Sequence, residues 1–207
     1  MNEKNSLGLN ICFEEHDDPI SLFNSWYDQA KKSEVKDSNA FALGTSSSKN
    51  QPNVRIVLLK DFSNGGFVFY TNLDSKKSEE LKNNQLASMC FYWKSLKRQV
   101  RVIGKVELVS TKEADEYFSS RSYESKIGAW ASQQSARLES REELLKKIDS
   151  FKNQYSEKNN VKRPSWWSGW KIYPEEIEFW LEGENRIHER LNYQKKNGKW
   201  FRELLYP

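Results

Sequence analysis

Cysteine and histidine are scarce in this 207-residue chain, with two of each. Cys12 and Cys90 stand far apart, so the chain can build neither a disulfide framework nor a Cys/His zinc cage, and no metal site is expected. No apolar run approaches the roughly 20 residues of a membrane-spanning helix, and the N-terminal residues show no signal-peptide core. The expected compartment is therefore the cytosol, with no membrane partner. Charge of one sign is lacking too: 33 Lys and Arg against 29 Asp and Glu leave a net +4. Nucleic-acid binding needs a clustered basic face interleaved with stacking aromatics. Here Lys and Glu alternate instead, so no nucleic-acid partner is expected. A Ser-His-Asp order, a Walker loop and a dinucleotide fingerprint are also missing. Gly65-Gly66 falls in a turn whose spacing cannot cradle a diphosphate.

Aromatic rings are what the chain has in plenty. Eleven Phe, nine Tyr and eight Trp offset a hydrophobic fraction of only 37%, because each ring buries a large area. The length suits one domain with a full core. Residues 1–17 lack periodicity and read as a flexible arm, leaving 18–207 as the domain. Asp18-Pro19 gives an N-cap and first helical position, and Ile20, Phe23, Trp26, Tyr27 and Ala30 continue a helix to about Lys32. Strands are expected at Ala40–Thr45, Arg55–Lys60 and Phe67–Thr71, the last two as a hairpin around Asp61–Gly66. A lysine-rich helix at Ser75–Asn83 precedes strands at Leu86–Trp93 and Arg98–Val109. Ser110 with Glu113, and Ser140 with Glu143, are capping boxes that open two further helices. Ser125–Ser135 reads as a loop bearing Gly and Ser. Strands at Gly169–Tyr173, Ile177–Leu181, Arg186–Tyr193 and Trp200–Leu205 close the chain. The pattern predicts a mainly β fold, an antiparallel barrel with peripheral α-helices.

The segment Ile177–Arg190 carries the densest chemistry. If residues 186–193 form a strand, Arg186, His188 and Arg190 point to one face at period two, with Trp180 on the approaching strand. Such a row is either a solvated edge strand or the wall of a site for a planar anion. Tyr117 and Arg121 lie four apart on a helix, with Ser125 just beyond, which suits a phosphate or an ordinary surface pair. Ser75-Lys76-Lys77-Ser78 opens a helix, where unpaired amides and the macrodipole attract phosphate; a solvated lysine turn has the same composition. Gln99, on an apolar-flanked strand, could offer directed hydrogen bonds to a heterocycle. Two phosphate-like sites with aromatic and amide lining suggest two phosphorylated, planar ligands.

These residues also carry a resemblance. R-I-V-L-L-K (Arg55–Lys60), F-V-F-Y-T-N (Phe67–Asn72), R-Q-V-R-V-I-G (Arg98–Gly104), I-G-A-W-A-S-Q-Q-S (Ile127–Ser135), I-E-F-W (Ile177–Trp180) and N-R-I-H-E-R (Asn185–Arg190) occur in one order. Together, from about Asp18 to Pro207, they resemble the pyridoxine/pyridoxamine 5′-phosphate oxidase family. The resemblance implies an FMN-binding split β-barrel, assembled as a homodimer with the flavin at the subunit interface. It implies oxidation of pyridoxamine or pyridoxine 5′-phosphate to pyridoxal 5′-phosphate, with O2 reduced to hydrogen peroxide. By the same resemblance Arg55, Ile56, Val57, Leu58, Leu59, Lys60, Tyr70, Thr71, Lys76, Lys77, Gln99, Gln134, Ser135, Trp180 and Arg190 match FMN-contact positions. Tyr117, Arg121 and Ser125 match the substrate-phosphate positions and Lys60 also reaches the substrate. Arg186 and His188 match the catalytic pair that holds the pyridine ring against the flavin.

The sequence departs from the family pattern at four positions. Lys76 stands in place of arginine, Ser78 in place of a small residue, Ser122 in place of proline and Glu189 in place of aspartate. Competing readings are another FMN split-barrel oxidoreductase and a non-catalytic carrier of pyridoxal 5′-phosphate. The first would keep the flavin set and lose Tyr117, Arg121, Ser125, Arg186 and His188, all of which are present.

Overall fold

The computed structural model describes residues 3–34, 36–63, 65–156 and 160–207. Helix α1 (Pro19–Ser33) is followed by strands β1 (Ala40–Ser46), β2 (Pro52–Leu58) and β3 (Phe67–Asn72) and by helix α2 (Lys76–Asn83). Strands β4 (Leu86–Trp93) and β5 (Arg98–Leu108) come next, then helices α3 (Thr111–Ser120), α4 (Tyr123–Ala131) and α5 (Arg141–Gln154). Strands β6 (Trp167–Leu181), β7 (Glu189–Lys196) and β8 (Lys199–Leu204) complete the chain. All pairings are antiparallel, in the order β2-β1-β4-β5-β6-β7-β8, with β3 on the free edge of β6.

Local signals act as the sequence predicts. Asp18 caps α1 through the Ile20 amide, Ser110 caps α3 through Glu113 and Ser140 caps α5 through Glu143. Long-range pairing differs from expectation in two places. The expected hairpin of residues 55–60 with 67–71 does not form: β2 pairs along its whole length with β1, and β3 pairs with β6. The turn at 47–51, closed by Ser47 N–H to Gln51 O with Asn50 at φ 60°, offers β2 the nearer partner. Just beyond β2 the chain bonds to β3, through Lys60 N–H to Val68 O and the Asp61–Val68 bridge, and this contact closes the barrel circuit. Strand β6 is one 15-residue strand rather than two. Its register against β5 slips where Ile103 faces Glu176 and Gly104 faces Pro174, leaving Glu175 as a bulge. A Cβ on Gly104 would sit 2.0 Å from Tyr173 O, so only glycine admits this crossing.

Residues 3–17 are not an arm apart from the domain. Phe13 is fully buried edge-on against Trp26, Leu9 joins the same core, and Trp26 Nε1–H donates to Cys12 O at 2.7 Å. The main core lies inside the barrel beneath α1: Phe23 meets Phe67 at 4.9 Å and Phe91 at 5.4 Å, and Trp26 meets Phe179 at 5.2 Å. A second cluster, Phe118, Ile127, Val161 and Trp167, binds the helical layer to β6. Among the described residues no helix is long and apolar enough to cross a membrane.

Candidate active site

A cleft of about 810 Å³ opens between β2, β3, the start of α2, and α4 with the loop beyond it. That volume falls in the usual range for cofactor and substrate sites. Of the positions expected from sequence it gathers Arg55, Ile56, Val57, Leu58, Lys60, Tyr70, Thr71, Lys76, Lys77, Arg121, Ser125, Gln134 and Ser135. Leu59 is not among them; it is buried in the barrel core.

Two cations, Lys77 and Arg121, are drawn out of water in this cleft with no carboxylate in contact. Lys77 is buried on the first turn of α2, and its Nζ donates to Thr71 Oγ1 (3.0 Å), Ser75 Oγ (3.1 Å) and Gln134 Oε1 (2.9 Å), all neutral. Burial, with a smaller push from Arg55, brings its ammonium down to about 8. Arg121, at the C-cap of α3, lies over Trp167 at 4.7 Å and Phe118 at 5.6 Å. Its Nη1 is buried with no hydrogen-bond partner, and burial pulls its pKa downward. The Lys77 charge is buried without a counter-charge, and Arg121 leaves a buried donor unpaired, so both groups favour an incoming anion. Tyr117 does not line the cleft; it stacks on Tyr70 at 4.0 Å, within a Tyr117–Tyr70–Trp167 pile whose planes lie within 8° of one another. Burial raises the Tyr70 phenol well above the usual tyrosine range.

Ser125 does not begin a loop, as the sequence reading has it, but sits in the first turn of α4. Ser122 is the reason: its Oγ accepts from the Ser125 amide at 3.3 Å and lies 2.9 Å from Ser125 Oγ. The glycine and serines downstream suggested a loop. Arg55 is also more constrained than expected. Its guanidinium donates to Thr45 Oγ1 and Leu43 O and pairs with Glu80 Oε2 at 3.3 Å. Glu80, almost fully buried, also accepts from Thr45 Oγ1 (2.5 Å) and Asn53 Nδ2 (2.6 Å). Glu80, Ser75 and Ser78 brace the α2 end of the cleft, and sequence reasoning missed Glu80 because its partners are 25 to 35 residues away.

The remaining expected positions lie on a different surface. Gln99 faces Trp180 across β5–β6, and Trp180 faces Arg190 across β6–β7, so the three form one row on the outer sheet face. Arg190 is held by Glu178 Oε1 at 2.7 Å, which raises its pKa, and by Tyr206 O at 2.8 Å. The single strand face expected for Arg186, His188 and Arg190 does not form. Arg186 lies in a 3-10 turn, Glu184–Arg186, with Asn185 and Arg186 at φ 52° and 65°, and β7 begins only at Glu189. His188 packs on Trp180 at 4.6 Å, and its Nδ1 accepts from the Gly183 amide at 3.3 Å. A neutral His188 therefore carries its proton on Nε2. Trp180, Gly183, Arg186 and His188 line a second hollow, which shares no lining residue with the main cleft. The same outer face exposes Val54 (72%), Ile56 (67%) and Tyr92 (56%), more apolar surface than a sheet face normally shows to water.

A mainly antiparallel split barrel whose cleft pairs two anion-seeking cations with stacked aromatics defines the class: a binder of phosphorylated, planar ligands. Comparison with known proteins narrows it. The family described as pyridoxamine 5′-phosphate oxidase matches residues 27–155, and the pyridoxine 5′-phosphate oxidase C-terminal dimerisation region matches 167–207. A pyridoxine/pyridoxamine 5′-phosphate oxidase of Pelagibacter ubique is 61% identical over the whole of both chains. One from Sinorhizobium fredii is 48% identical, over 94% of this chain and 95% of that one. Among solved structures, PhzG of Burkholderia lata, in complex with tetrahydrophenazine-1-carboxylic acid, superposes with a TM-score of 0.89 at 27% identity, covering 96% and 97% of the two chains. An FMN-binding, pyridoxamine 5′-phosphate oxidase-related protein of Nostoc punctiforme shares the fold, with a TM-score of 0.75 at 15% identity over 93% and 100%. The chain belongs to the pyridoxamine 5′-phosphate oxidase family.

Proposed function

We propose that this protein is an FMN-dependent oxidase that converts pyridoxamine or pyridoxine 5′-phosphate to pyridoxal 5′-phosphate, reducing O2 to hydrogen peroxide. The observation that carries this reading is the pair Lys77 and Arg121: a buried ammonium and a half-buried guanidinium with a buried, unpartnered Nη1, in one cleft and each without an anion in contact. They match a need for two phosphates, one on the cofactor and one on the substrate. FMN, when bound, would supply the redox chemistry, a two-electron oxidation at the substrate's C4′ coupled to reduction of O2 to hydrogen peroxide, with Lys77, Thr71 and Gln134 placed to hold its phosphate.

The chain's own residues position and polarise. Lys77, with Thr71, Gln134 and the first amides of α2, holds one phosphate. Arg121 and the Ser125 hydroxyl hold the other, and the Tyr70–Trp167 pile walls the space beside it. Arg186 clamps the substrate ring, and His188 offers Nε2–H as a donor. Water is kept from the reacting centre once the outer sheet face is covered. The working unit is a homodimer, in which the Arg186–His188 hollow of one subunit meets the main cleft of the other. Two features support this: the two surfaces share no lining residue, and the exposed apolar residues lie on the same sheet face as Gln99 and Trp180.

Anaerobic addition of pyridoxamine 5′-phosphate to the purified, FMN-loaded protein tests the reading. Bleaching of the flavin colour, restored by air with release of hydrogen peroxide, is expected. A flavin spectrum unmoved by either phosphorylated vitamer contradicts it.

A further inference from the structure

Glu189 is the first residue of β7 and follows His188 directly. Its carboxylate faces the opposite side of the sheet from His188 and Arg190. There Oε1 pairs with Lys4 Nζ, and Oε2 accepts from the Asn10 amide at 2.5 Å. Lys4 and Asn10 are bridge partners in a compact N-terminal hairpin. Asn5 ties that hairpin together: its Oδ1 accepts from the Leu7 and Leu9 amides, both at 3.0 Å, and its Nδ2 donates to Phe13 O at 2.7 Å. Buried Leu9 and Phe13 root the hairpin in the core.

The seven residues from Gly183 to Glu189 are thus closed on themselves by Gly183 N–H to His188 Nδ1 and anchored to the N-terminal hairpin by the Glu189 clamp. Within this segment, Asn185 and Arg186 hold left-handed conformations that side chains other than glycine rarely adopt. Such strain persists only where the surroundings over-determine it. Glutamate reaches both N-terminal donors; aspartate, one methylene shorter, reaches less far.

We infer that Glu189, clamped by Lys4 and the Asn10 amide, is a positioning residue that holds the strained Arg186–His188 turn in its substrate-binding shape. The N-terminal hairpin is accordingly part of the active site's construction. This inference rests on the functional reading above, and it is specific to the substrate end, since no contact of Glu189 reaches the Lys77 cleft.

The test uses FMN-loaded Glu189→Gln, Glu189→Asp and Lys4→Met. Two readouts are taken: equilibrium binding of pyridoxal 5′-phosphate, followed by tryptophan fluorescence, and steady-state KM and kcat with pyridoxamine 5′-phosphate. Glu189→Gln should weaken pyridoxal 5′-phosphate binding and raise KM by about tenfold, with FMN affinity unchanged. Glu189→Asp and Lys4→Met should shift both in the same direction by less. A purely structural role predicts a lower Tm with binding and KM of the loaded protein unmoved, and that result would overturn the inference. If Glu189→Gln does not fold, Lys4→Met decides on the same readouts. An inactive wild type that still binds pyridoxal 5′-phosphate strikes the functional reading alone, and the binding series still decides the role of Glu189.

Discussion

Lys77 Nζ donates to Gln134 Oε1 at 2.9 Å, tying the first turn of α2 to the loop after α4 across the main cleft. The ammonium has no carboxylate in contact, and burial brings it to about 8 from the ordinary lysine value near 10.4. A lowered lysine pKa costs the folded apoprotein stability below about pH 8, and that cost fades as pH rises toward 10.4. Phosphate binding needs the charged form, so the ligand effect runs the other way. FMN affinity of the apoprotein should be constant below pH 8 and weaken by up to about tenfold per pH unit above it. Lys77→Met should bind weakly with a flat profile. A wild-type affinity unchanged between pH 7 and 9.5 refutes the assignment.

Arg121 offers a buried Nη1 with no partner. A charge-assisted hydrogen bond of this kind contributes about 1.5–3 kcal/mol. Arg121→Ala should lower kcat/KM for pyridoxamine 5′-phosphate by roughly 10- to 100-fold. Residual activity on unphosphorylated pyridoxamine should not change. Equal losses on the two substrates would place Arg121 outside the phosphate site.

Glu80 gathers three donors at a nearly fully buried carboxylate. Glu80→Gln removes the counter-charge of Arg55 and leaves a cation poorly compensated. Breaking a buried pair in this way costs about 3 kcal/mol, less some recovery because Arg55 is partly exposed. Urea unfolding of the apoprotein measures it; a midpoint equal to wild type contradicts the role.

Lys76 lines the cleft from an exposed position on the first turn of α2. Arginine there would present a planar fork, whereas lysine is a point charge on a flexible stem. Lys76→Arg should tighten FMN by up to about tenfold, or ~1.4 kcal/mol, with kcat nearly unchanged. Fluorescence titration of the apoprotein reads this directly, and no tightening means that Lys76 is not a phosphate ligand.

What was legible in the sequence was local. The caps at Asp18, Ser110 and Ser140 act within three residues of themselves, and each was readable. The partner of β3 was not, because pairing with β6 depends on a segment 100 residues downstream. Two strands, Gly169–Tyr173 and Ile177–Leu181, were expected where the bulge at Glu175 lets β6 run on past Pro174 as one. The period-two row through Arg186 failed because Asn185 and Arg186 turn left-handed, in a turn closed by Gly183 N–H to His188 Nδ1. The N-terminal hairpin was hidden for a similar reason: Asn5 organises it through single hydrogen bonds that leave no hydrophobic period. Site residues were found by motif; which of them share a surface needed the strand registers.

Subunit complementation tests the central claim, that cleft and hollow from two subunits make each site. Arg121→Ala disables the cleft and Arg186→Ala the hollow, so each homodimer has two damaged sites. In a hybrid dimer one site carries both lesions and the other carries neither. Unfolding and refolding an equimolar mixture gives half hybrids, so about a quarter of all sites are intact. Activity near a quarter of wild type is the expected result. A mixture no more active than the mean of the two variants would show that each subunit builds its site alone.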